Sequence, residues 1–272
     1  MNVVIGGNPI EIITSDVAFS RMLREQYADF IEPINNHRAA IQLTVDIQVD
    51  SPDSSAASDD PRLDDELEVR LDSGKWRLTR GDFYASYDPV TRTGSVRQSA
   101  NRHSIDSVVR IIHSLSLVAQ GGFLAHSASA IRHGRAWLFA GRSGAGKTTI
   151  SRLAPDDVCL LSDEVSFVRQ SIDPGEKFLA WGTPFTGELG KPGANCCAPI
   201  QGICFLEQAQ ENSLTAIGKA EALRLLMTNI LFFADDPELV RQVFDIAAET
   251  VEAIPMFRLC FAPDARVWDL IQ

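Results

Sequence analysis

Apolar positions in this chain follow two rhythms, and the change between them outlines the elements. Asn2 to Ser15 holds short apolar pieces around Gly6-Gly7, which predicts a small hairpin. From Ser15 or Asp16 onward, Phe19, Met22, Leu23, Tyr27 and Phe30 recur at helical spacing and predict a capped helix to about Ile31. Ile41 to Val49 alternates in part and predicts a strand. Four more strands are expected at Glu66–Leu71, Lys75–Thr79, Phe83–Tyr87 and Gly94–Arg97. Asp72-Ser73-Gly74, Arg80-Gly81-Asp82 and Asp88-Pro89 turns separate them, giving antiparallel neighbours. Ser104 then caps a helix with Ile105, Val108, Val109, Ile112 and Leu115 on one face, ending near Gly121-Gly122. His113 falls off that face and reads as a solvated flank residue.

After Leu124 the rhythm shortens into apolar runs divided by turns. Ala136–Ala140, Val158–Leu161, Val165–Val168, Phe178–Trp181, Gly202–Leu206 and Phe257–Phe261 read as strands. Helices are expected over roughly Lys219 to Phe233 and from the cap Asp236-Pro237-Glu238. The division suggests an N-terminal α+β domain over 1–103 and a second domain over 104–272, an α/β arrangement that is α+β overall.

Composition narrows the class. The 272 residues are 45% apolar and 22% charged, as in a globular protein. No segment approaches the roughly 20 apolar residues of a membrane helix, and Met1 to Ile10 does not resemble a signal peptide. Five cysteines at spacings that match no metal template point to a reduced, cytoplasmic protein. The net charge of −11 argues against a nucleic acid partner, because a phosphate-backbone binder needs a basic face. Asp46 to Glu68 carries nine acids and one base, and a mobile, solvated surface loop is expected over about 50–64.

The chemistry is concentrated in Gly141-Arg142-Ser143-Gly144-Ala145-Gly146-Lys147-Thr148, followed by Thr149. It fits G-x-x-x-x-G-K-[ST], the phosphate-cradling loop. Glycines bring bare N–H groups against phosphate oxygens, Lys147 supplies a point charge, and the Thr148 hydroxyl can enter a Mg²⁺ shell. An apolar strand before the loop and a helix start after it supply the right setting. Sixteen positions beyond Lys147, an apolar run reaches Asp163-Glu164. Such acids can hold Mg²⁺ or accept a hydroxyl proton. No L-S-G-G-Q stretch of an ABC-type ATPase occurs, nor the N-K-x-D of a GTPase.

Together, His126 in Leu124-Ala125-His126-Ser127-Ala128, the Gly141–Thr148 loop and Asp163-Glu164 resemble the HPr kinase/phosphorylase family, over about Leu124 to Val168. Phosphoenolpyruvate carboxykinase has a related core. The resemblance implies a P-loop nucleotide-binding core and a kinase using ATP and Mg²⁺ on a hydroxyl, serine first, of a protein, peptide or small molecule. It assigns Lys147 and the Ser143–Thr148 backbone to phosphate, and Thr148 with Glu164 to Mg²⁺. Asp163 becomes the proton acceptor, His126 the neighbour of the transferring phosphate, and Glu188 part of a substrate-side loop. It also implies a homo-oligomer. A second reading is a nucleotide-binding regulatory module without turnover that acts through a protein partner.

Overall fold

The computed structural model describes residues 1–32, 41–48 and 65–272. The acidic loop expected at about 50–64 lies outside the described residues. The chain forms two compact units, one of residues 1–116 with 233–240 and one of residues 117–232 with 241–272.

The first unit follows the predicted order. Strands β1 (Asn2–Ile5) and β2 (Asn8–Thr14) make the expected hairpin, with Gly6 and Gly7 both at positive φ in its turn. Helix α1 (Val17–Gln26) is capped by Asp16, whose side chain accepts from the Phe19 amide at 2.7 Å. Strand β3 (Ile41–Ile47) buries every second residue. The strands β4 (Glu68–Asp72), β5 (Lys75–Arg80), β6 (Phe83–Asp88) and β7 (Thr93–Gln98) pair antiparallel in succession. The seven strands form one sheet in the order β1-β2-β3-β7-β6-β5-β4, with β3 parallel to both neighbours.

Helix α2 (Arg102–Val118) departs from expectation at two residues. Its cap is Asn101, whose Oδ1 accepts from the His103 amide at 2.8 Å. Ser104 lies inside the helix and is fully buried, its hydroxyl donating to Asp82 Oδ2 at 2.5 Å. His113 is not a solvated flank residue. It is fully buried, as are its neighbours Ile111, Ile112, Ser114 and Leu115, so this helix is covered on most sides rather than along one stripe.

Burial pushes the His113 imidazole down from 6.5 to about 3, because the charged form loses its water. Between those values the unfolded chain binds the proton and the folded chain does not. Stability therefore falls as pH drops below 6.5, by about 1.4 kcal/mol per unit for this one group. Urea unfolding at pH 7 and pH 5 is expected to show about 2 kcal/mol of loss that the variant His113→Gln lacks. An equal pH slope in both proteins would remove His113 as the source.

The second unit is mixed α+β. Its strands are β8 (Gly122–Arg132), β9 (Arg135–Ala140), β10 (Cys159–Ser162), β11 (Val165–Gln170), β12 (Phe178–Trp181), β13 (Cys197–Gln208), β14 (Ser213–Ala216), β15 (Ile230–Leu231) and β16 (Met256–Phe261). Its helices are α3 (Lys147–Arg152), α4 (Lys219–Met227) and α5 (Pro237–Ala253), the last starting within residues 233–240. The strands β8, β11, β12, β13 and β9 pair in that order and β9 returns to β8, so the five close into a ring. Only β9–β13 and β13–β16 are parallel pairs among the described strands of this unit.

One expectation needs amending here. The helix expected to Phe233 stops at Met227. There Asn229 N donates to Leu226 O, its side chain donates to Leu225 O, and Ile230–Leu231 leaves to pair with β8. Pairing with a strand thus overrides a helical apolar pattern. The cap at Asp236 stands as read, its Oδ1 accepting from the Leu239 amide at 2.9 Å.

A core of Phe139, Ile150, Leu206, Phe261 and Trp268 packs the P-loop helix against β9, β13 and β16. Phe139 and Trp268 meet edge-on at 5.4 Å, and Trp268 Nε1 donates to Ile150 O at 3.1 Å. The C-terminal turn over Ala265–Leu270 thereby braces the helix that follows the loop.

Candidate functional site

Strand β8 is the axis of the site. Strand β9 lies along one edge, joined by a tight turn in which His133 and Gly134 both have positive φ, as a two-residue hairpin requires. Ser127 pairs with Ala140, so Gly141 leaves the sheet beside His126. Along the other edge run β10 and β11, both antiparallel to β8, with Ser162 opposite Ser129 and Val165 opposite His126. The two strands are one path interrupted by a bend. The register slips by one residue at Leu161, between Leu160 and Ser162, and Asp163-Glu164 form the two-residue gap between β10 and β11. As expected, the acids follow the C-terminal end of a strand, β10, and they sit where that edge bends into β11. Ser162 Oγ holds the kink by accepting from the amides of Glu164 at 3.1 Å and Val165 at 2.9 Å. Residues 126–128 of β8 thus lie between the start of the P-loop and the acid pair.

The Gly141–Thr148 loop uses its glycines where the backbone requires them. Gly144 has φ 77°, with open space where a Cβ would stand. Gly146 has φ 110°, and a Cβ there would lie 2.5 Å from the Phe261 ring, so only glycine fits. Ala145 N donates to Arg142 O at 3.0 Å and Gln208 Nε2 donates to Gly144 O at 2.6 Å, which ties the loop to the end of β13. Ser143 is exposed, while Thr148 and Thr149 are half-buried in the first turn of α3. Lys147 is buried, and its ammonium donates to Gly141 O at 2.9 Å and Arg142 O at 3.2 Å. Burial lowers its pKa, while the charges of Glu164 and Glu188 act in the opposite direction.

That pair of acids is the informative observation, since Glu188 lies 41 positions from Lys147. The loop carrying it folds back across β10. Thr183 N donates to Leu161 O at 3.1 Å, and Ala194 N donates to Leu160 O at 2.9 Å. At Gly193 a Cβ would stand 1.6 Å from Leu161 O, so the close approach demands glycine. Asp163 makes the central tie. It is 6% exposed, and its two carboxylate oxygens accept from the amides of Gly187 and Leu189, each at 2.9 Å. Asp163 therefore holds the two residues that flank Glu188, while Glu164 and exposed Glu188 present their charges to Lys147.

His126 is half-buried on β8, its amide donating to Asn229 O at 2.7 Å. Sequence reasoning supplied each of these residues but not the clamp of Asp163 on the Glu188 loop. The signal was faint: Gly187 and Gly190 bracket an acid in a loop free of apolar periodicity. Among the described residues no group of three or more His, Cys, Asp or Glu side chains is arranged to hold a metal ion on its own. No helix among them is long and apolar enough to cross a membrane.

Comparison with known families corrects the resemblance to HPr kinase/phosphorylase. The family that matches is SynChlorMet cassette protein ScmC, over residues 95–272, a span far wider than the three short motifs that suggested the kinase family. No curated protein matches the chain. The matched stretch runs from within β7 through both edges of β8, the P-loop and the acid loop to the last residue, and the chain belongs to the ScmC family of SynChlorMet cassette proteins.

Proposed function

We propose that the chain is a P-loop phosphotransferase that takes the γ-phosphate of ATP to a hydroxyl of a peptide, protein or small molecule. The reading is carried by one observation: a buried lysine inside a glycine-built loop, its ammonium held by Gly141 O and Arg142 O, lies within the charge influence of two carboxylates on separate segments. Coulomb attraction between those charges grows in a half-buried site, where water screens them poorly. The donor set fits a phosphate-bound hard cation. Thr148 offers a hydroxyl and Glu164 a carboxylate, and an ion that takes few protein ligands relies on phosphate oxygens and water for the rest. When bound, Mg²⁺ neutralises charge on the β- and γ-phosphate oxygens.

The chain's own groups divide the remaining work. Backbone amides of 143–148 and the Lys147 ammonium hold the phosphates. Asp163 positions the loop of 187–189 through two amide hydrogen bonds. Glu188, exposed at the rim, accepts the proton of an incoming hydroxyl, the part first expected of Asp163. His126, on the strand between loop and acids, lies where a transferring phosphate would pass.

A non-catalytic nucleotide-binding module acting through a protein partner is favoured by the same clamp, because it occupies the carboxylate expected to be the base. Calorimetry with Mg·ATP, followed by incubation with γ-labelled ATP and a serine-containing peptide library, separates the readings. The phosphotransferase reading expects saturable uptake and labelled peptide. Uptake without label or released phosphate would establish the binding module, and no uptake would defeat both.

A further inference from the structure

Cys159 opens β10 and Cys196 closes the loop that leads into β13, 37 positions later. The fold sets them side by side. Next to Cys159, Leu160 O accepts from Ala194 N at 2.9 Å, and the Cys196 amide turns back onto Ala194 O at 2.8 Å. Cys196 O in turn accepts from Gly182 N at 2.9 Å, so the segment is fixed on both sides. These backbone ties bring the Cys196 thiol close enough to Cys159 for each to act on the other's charge, and both residues are exposed.

The other cysteines are placed differently. Cys197 pairs with Trp181 on extended backbone, which directs its side chain away from that of Cys196. Cys204 is fully buried, and Cys260 Sγ lies 3.9 Å from Glu207 Oε2. Of the five, the 159–196 pair has both access and proximity.

We propose that Cys159 and Cys196 form a redox modification site, a dithiol that closes to an intramolecular disulfide on reaction with hydrogen peroxide. The Cys159 thiolate attacks one peroxide oxygen, the O–O bond breaks, and the leaving hydroxide takes a proton to become water. The Cys196 sulfur then displaces the second oxygen from the Cys159 sulfenic acid; the Cys196 proton leaves with it as another water and the S–S bond forms. Two thiols lose two electrons and one peroxide gains them. Burial, then the neighbouring Cys159, pushes the Cys196 thiol up to about 11, which suits it to the second step rather than the first. The bond would tie the start of β10, which leads to the Asp163 kink, to the far end of the Glu188 loop.

The reduced chain of 272 residues contains five thiols. After peroxide treatment, quenching and denaturation, a thiol titration is expected to find three. A non-reducing peptide map should join the segments holding Cys159 and Cys196 with a mass loss of about 2 Da, and the amides of Gly193 and Ala194 should exchange hydrogen about tenfold more slowly. Cys159→Ser, an exposed substitution, should keep its remaining four thiols free of any intramolecular disulfide. Five surviving thiols, a map joining Cys196 to Cys197, or a Cys159→Ser chain that still forms a disulfide would each overturn the assignment. None of these readouts depends on nucleotide binding, so failure here leaves the phosphotransferase reading intact.

Discussion

Lys147→Ala should lower affinity for Mg·ATP about 1,000-fold, roughly 4 kcal/mol, while the protein remains folded. The ammonium is the charge on which both acids act, and it sits within the loop whose amides would meet the phosphates. Hydrogen bonds to charged groups contribute about 1.5–3 kcal/mol each, and a triphosphate offers more than one acceptor to this cation. In stability the same change has opposed effects. Two hydrogen bonds to the carbonyls of Gly141 and Arg142 are lost, but so is the cost of burying the charge, which already lowers the lysine pKa. Urea unfolding should therefore shift by less than about 1 kcal/mol. Lys147→Arg is expected to fail as well, because a planar guanidinium does not fit where a compact ammonium meets two carbonyls. Native affinity in Lys147→Ala would mean that the loop does not grip phosphate through this residue.

Local chemistry was legible in the sequence where it is local in space. The glycine loop between a strand and a short helix and the Asp16 and Asp236 caps each depend on residues within a few positions of one another. What escaped depends on partners far along the chain. Ser104 looked like a cap because nothing nearby reveals Asp82 as its acceptor. His113 looked solvated because one apolar stripe was assumed, whereas α2 is buried on further sides. The helix expected to reach Phe233 was cut short by the pairing of Ile230 and Leu231 with β8, which no local propensity announces.

Family assignment failed for a related reason. A glycine loop, a histidine and two acids are solutions to one chemical task and recur wherever phosphate is held. They cover little of the second unit, while the ScmC match covers 95–272. Closure of β8, β11, β12, β13 and β9 into a ring joins strands many positions apart and left no periodic trace in the chain. The acid pair illustrates how the two levels meet. Its identity was evident in the sequence, but its division of labour was not, because the Gly187 and Leu189 amides that engage Asp163 lie 24 and 26 positions away.

That division yields the sharpest test of the site. Glu188→Gln keeps the shape of an exposed side chain and removes its capacity to take a proton. It should lower transfer of labelled phosphate about 1,000-fold, in the range expected for loss of general-base catalysis, with Mg·ATP affinity nearly unchanged. Asp163→Asn acts differently. Its amide can accept from one of the Gly187 and Leu189 N–H groups but turns its own NH₂ toward the other, leaving a buried donor opposed by a donor. That costs about 1–3 kcal/mol, enough to release the loop. Hydrogen exchange at 187–189 should accelerate in Asp163→Asn and stay native in Glu188→Gln, although both lose turnover. If Asp163→Asn abolishes transfer with the loop still protected while Glu188→Gln remains active, the buried acid is the base after all and the loop only covers it.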